Sequence, residues 1–85
     1  MTPKEFDEMV ERDMAQLAAG ASLAQMQGDG LVYDYLREFG ELLVDEAAAV
    51  RKGLEPVAKY EDVRCALFTQ VHELRRRKLD LVISE

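Results

Sequence analysis

Four carboxylates recur at regular intervals in the middle of this chain: Asp34, Glu38, Glu41 and Asp45. Offsets of four, three and four residues line them along one side of a helix. Like charges so spaced cost a helix roughly 0.2–0.5 kcal/mol per pair, which the intervening Arg37 offsets only in part. What such a strip offers chemically is electrostatic recognition of a basic surface, including one that otherwise holds nucleic acid. Asp7, Glu8 and Glu11 extend the acidity toward the N-terminal side. A calcium loop needs alternating oxygen ligands in a loop with a central glycine, and these acids belong to helical segments. Tyr33, Tyr35 and Tyr60 supply the other recognition chemistry, because aromatic rings with a polar tip are enriched among binding hot spots.

The remaining reactive side chains do not assemble into a catalytic set. His72 is the sole histidine and Cys65 the sole cysteine. Seven residues along one helix separate them by about 10 Å of rise, too far for a thiol–imidazole hydrogen bond. The residue three before His72 is Thr69, so the Glu-x-x-His pattern of di-metal bundles is missing. His72 therefore reads as a surface or interface histidine, and Cys65, one position from an apolar stripe, as a buried structural thiol. Gly28-Asp29-Gly30 precedes a helix, yet no strand comes before it and no third glycine or lysine follows, so it reads as a turn rather than a phosphate loop. The sequence points away from an enzyme and calls for no metal and no cofactor.

Arg75-Arg76-Arg77-Lys78 is the one basic run. Four consecutive residues on a helix point in all directions, so the run favours a place near a helix C-terminus over one groove-facing patch. Contact with DNA or RNA through this C-terminal helix is the second functional reading.

Three helices are expected to position these groups. Thr2-Pro3-Lys4-Glu5 is a start signal: Thr2 caps, Pro3 suits the first turn, and Glu5 can bond back to the cap backbone. Phe6, Met9, Val10, Met14, Leu17 and Ala18 form the inward stripe of a first helix predicted to end at Gly20. Ser22 then suggests a short extra helical turn over residues 22–27, closed by the Gly28/Gly30 pair. A second helix opens after Asp29 or Gly30 and runs to about Lys52, with Val32, Tyr35, Leu36, Phe39, Leu42, Leu43, Ala47 and Val50 inward. Arg51-Lys52-Gly53 closes it with cations against the negative helix end and a glycine for the left-handed turn. A third helix after Pro56 carries Val57, Tyr60, Val63, Leu67, Val71 and Leu74, with Glu73 spaced to pair with Arg76 or Arg77. Residues 79–83 fit a continuation of that helix, with Leu81 and Val82 inward, better than a short strand.

With 85 residues, 48% of them hydrophobic, one all-α domain over residues 1–85 is expected, folded as a small antiparallel three-helix bundle. Apolar groups outside the main stripes, Leu31, Phe68 and Leu79 among them, make dimerisation an expectation as well. A lone cysteine excludes an internal disulfide and, with no long apolar run, favours the cytoplasm and no membrane insertion. The net charge is −6, and it is unevenly spread. Residues 1–58 hold 5 Lys and Arg against 12 Asp and Glu, a net of −7, while residues 59–85 hold 6 against 5. An acidic body repels phosphate backbones and favours basic protein partners, which makes nucleic acid the lesser reading. The functional expectation is a non-catalytic adaptor, inhibitor or regulator, of the kind that phages and mobile elements encode. It docks on another protein through Asp34, Glu38, Glu41, Asp45, Tyr33, Tyr35 and Tyr60.

Overall fold

Three helices, α1 (Pro3–Met26), α2 (Gly30–Arg51) and α3 (Val57–Ile83), follow one another in a computed structural model. It describes the backbone of residues 1–83 and the side chains of residues 1–77. The helices pack up, down and up as a bundle, with no strand among the described residues. The expected inward placement of Leu81 and Val82, and the expected place of Leu79 off the main stripe, lie outside the described residues.

The local signals act where they stand in the sequence. Thr2 Oγ1 accepts a bond from the Glu5 backbone N–H at 3.2 Å, and its hydroxyl donates to the Glu5 carboxylate at 3.1 Å. The return bond thus goes side chain to side chain and not to the cap backbone. Asp29 caps α2 by accepting from the Val32 N–H at 3.2 Å. Both interhelical turns are glycine C-caps. Gly28 (φ 69°) and Gly53 (φ 75°) take the left-handed conformation, and the next residue donates back into the helix, Asp29 to the Ala24 carbonyl and Leu54 to that of Ala49. These are the bonds that satisfy orphan carbonyls at a helix end.

Helix α1 departs from the sequence reading. It runs through Gly20 without interruption to Met26, so residues 22–27 are no separate turn. A glycine inside a helix costs about 0.5–1 kcal/mol, which the packing of Leu17 and Ala24 on either side offsets. Gly20 has a spatial role instead. A Cβ there would lie 3.3 Å from Leu36 Cδ1 and 3.2 Å from Arg75 Nη2, so its missing side chain lets both neighbours approach.

Helix α2 is central. Val32, Leu36, Phe39, Leu43 and Ala47 form its buried seam, and it packs against both other helices. Phe6, Val10, Leu17 and Ala24 meet it from α1, Tyr60 and Val71 from α3. Phe68, off the main stripe by spacing, packs edge-on against Phe39 with ring centroids 4.9 Å apart. Ala18 and Leu42, expected inward, are exposed, because the seam is narrow and each lies about 100° round the helix from its buried neighbour. The radius of gyration is 14.6 Å, against about 12 Å for a compact chain of this length. With extents of 50 × 20 × 17 Å, the bundle is a rod.

Candidate functional site

The outer face of α2 is where the sequence places recognition. Asp34, Glu38, Glu41 and Asp45 are all exposed there, and no ion pair among the described residues engages any of them. Leu31, 71% exposed, and Leu42, 53% exposed, stand on the same side, so the strip is acidic with apolar interruptions. Tyr33 and Tyr35 flank it half-buried against the core. Tyr35 stacks on Phe39 at 6.4 Å, and burial pushes its hydroxyl above the ordinary tyrosine range.

Tyr60 does not belong to this surface. It is fully buried, its ring edge-on to Phe6 at 5.2 Å, and its hydroxyl donates to Asp13 Oδ2 at 2.9 Å. A phenol so enclosed reaches no partner, which removes it from the docking residues. Burial pushes its hydroxyl well up, and the Asp13 hydrogen bond adds to the shift.

Asp13 is the acceptor at the centre of this cluster. Only 1% exposed, it also receives Arg64 Nε at 2.7 Å and Nη2 at 2.6 Å in a two-pronged ion pair. Hydrogen bonding to Asp13 raises the Arg64 guanidinium, against the opposing effect of burial. The cluster ties α1 to α3 with every polar atom of Tyr60 and Asp13 engaged, the condition under which a buried polar group is tolerated. It had a sequence signal: Asp13 sits in the seam Phe6–Val10–Asp13–Leu17, and Arg64 in the seam Tyr60–Arg64–Leu67–Val71. Opposite charges at core positions of two helices are either faults or partners.

Two furrows run beside these groups. Between α1 and α2, Met14, Gly40 and Val44 floor an open hollow of about 470 Å³, edged by Glu41, Asp45 and Arg37. Between α1 and α3, adjoining hollows share Gln16 and Arg64, with Arg12 lining one and His72 and Arg75 the other. Arg75 lies over Gly20, while Arg76 and Arg77 are exposed and the Lys78 side chain lies outside the described residues. Glu73 takes part in neither of the described ion pairs, Arg51–Asp7 at 2.9 Å and Arg64–Asp13.

His72 is exposed, as expected. Cys65 is exposed too, where a buried thiol was expected. The seam takes Arg64 and leaves its neighbour turned to solvent. Among the described residues no group of three His, Cys, Asp or Glu converges as a metal site, and no helix is long and apolar enough to cross a membrane. Glu46, half-buried on α2, has one buried carboxylate oxygen without a hydrogen-bond partner among the described residues.

Comparison with protein families, with curated proteins and with solved structures finds no match for this chain.

Proposed function

We propose that this protein is a non-catalytic docking module that binds a basic surface of another protein through the outer face of α2. The observation that carries the reading is the exposure of Asp34, Glu38, Glu41 and Asp45 along one helix side, unengaged by any ion pair among the described residues. Carboxylates left this way cost α2 some stability by mutual repulsion, and a cationic partner relieves that repulsion on binding. Leu31, Leu42 and half-buried Tyr33 and Tyr35 supply apolar contact beside the charges. The test is the association rate with a lysine-rich peptide in stopped flow at low salt. Glu38→Lys with Glu41→Lys is expected to slow association about tenfold or more, with the difference fading as salt rises. Unchanged rates remove the strip from the reading.

A second reading has its own observation. Arg12, Arg64, His72 and Arg75 border the α1/α3 furrow, which supports contact of α3 with a nucleic-acid backbone. Binding of this kind weakens steeply with salt, and no binding to DNA or RNA at low salt eliminates it.

A further inference from the structure

We infer that the α1/α2 furrow seats a basic amphipathic helix of the partner protein as the fourth helix of a bundle. The inference rests on the docking role of α2 and specifies what docks there. An acidic strip by itself selects only for positive charge, but its Glu41 and Asp45 border a shallow open furrow of about 470 Å³ whose apolar lining is Met14, Gly40 and Val44. Val44 is 53% exposed, an uncovered β-branched side chain in the middle of a helix. Gly40 presents no side chain, and even a Cβ there would come no nearer than 4.0 Å to Leu17, so a neighbouring backbone can approach closely. The furrow runs along α2 with Met14 of α1 at its side, and the element that fits there is another helix, its apolar stripe at three- and four-residue spacing set against Met14 and Val44.

Charge then selects the kind of helix. Glu41 and Asp45 edge the furrow on α2, and Glu11, three residues before Met14, stands on the adjoining line of α1. Arg37 is the one cation at the edge. Lysine and arginine flanking the partner's apolar stripe would meet these carboxylates, whereas an acidic or neutral helix would leave them crowded together.

The experiment uses the full chain and two fluorescein-labelled synthetic peptides of one lysine–leucine composition. One has leucines at helical three- and four-residue spacing, and the other is shuffled to break the stripe. Anisotropy at about physiological salt is expected to show the patterned peptide binding at least tenfold more tightly. Val44→Asp makes the furrow more negative, so binding by charge alone predicts equal or tighter association. Seating in the furrow predicts at least a tenfold loss. Circular dichroism checks that the variant folds, and Val44→Thr, neutral and of nearly the same shape, is expected to lose about threefold if the aspartate does not fold. Equal binding of both peptides, or undiminished binding by the Val44 variants, overturns the fourth helix. If Glu38→Lys with Glu41→Lys still slows association in that case, the acidic strip stands without the furrow. A dimer in sedimentation at micromolar concentration that Val44→Asp dissociates makes a second copy the occupant and also overturns the proposal.

Discussion

The Asp13 carboxylate on α1 and the Arg64 guanidinium on α3 face each other in a two-pronged ion pair, 2.6 and 2.7 Å long, with the carboxylate sealed from water. Tyr60, one turn before Arg64, closes the same oxygen from the other side. The two outer helices are therefore joined through charge as well as through the apolar surface of α2. An ion pair of this kind adds little over a well-packed apolar pair but is costly to break on one side only.

Removing one member should accordingly be worse than removing both. Asp13→Ala strands the Tyr60 hydroxyl in the core and leaves Arg64 without its counter-charge. A loss of about 3 kcal/mol in urea unfolding is expected, with Arg64→Leu comparable because it leaves a buried carboxylate without its counter-charge, held only by the Tyr60 hydroxyl. Asp13→Leu combined with Arg64→Leu should recover part of that loss, the Tyr60 hydroxyl still lacking its acceptor. A double variant as unstable as the sum of the singles would contradict the coupling.

Alkaline pH should loosen the bundle through Tyr60. Burial and Asp13 hold its hydroxyl above its unfolded value near 10, so the folded chain keeps a proton there that the unfolded chain releases. The associated stability is whole below about pH 10 and is lost as pH rises beyond it. Unfolding free energy from urea curves at pH 8 to 11 should decline more steeply for the native chain than for Tyr60→Phe. That variant should also be less stable at neutral pH by roughly 1 kcal/mol for the missing hydrogen bond.

Two helical glycines should respond differently to the same methyl group. At Gly40 the added carbon meets only Leu17 at ordinary contact distance, so Gly40→Ala gains helix propensity and should raise Tm by about 4 °C. At Gly20 it would press on Leu36 at 3.3 Å and Arg75 at 3.2 Å, so Gly20→Ala should give a clearly smaller rise or none. Calorimetry of the two variants side by side settles the comparison, and equal rises would mean that Gly20 is no close-approach position.

Glu46 is a position where less polarity should help. Its buried oxygen has no partner among the described residues, a state that costs about 1–3 kcal/mol for a fully enclosed group and less for this half-buried side chain. Glu46→Met keeps the length and the helix propensity and should raise the urea midpoint at unchanged slope. A lower midpoint would show that the carboxylate contributes favourably.

The amino-acid pattern alone was enough for the helical class, both ends of α2 and the four-carboxylate strip, but it split α1 at Gly20 and offered an extra turn over residues 22–27 that the chain does not form. The class, the α2 ends and the strip depend on interactions within one turn or on the 3.6-residue period. Thr2, Asp29, Gly28 and Gly53 act on neighbours close along the chain, so their effect needs no knowledge of the rest. Tertiary structure alone decided the roles of Gly20, Tyr60 and Cys65. Gly20 reads locally as a stop, but it is the approach of Leu36 and Arg75 from other helices that gives its missing side chain a purpose. Tyr60 reads both as part of the third stripe and as a docking anchor, and only Asp13, 47 residues away, which takes its hydroxyl, decides between them. Whether Cys65 or Arg64 turned inward was set by the carboxylate waiting in α1. The period of a helix places a residue on a face, and only the packing of helices says what that face meets.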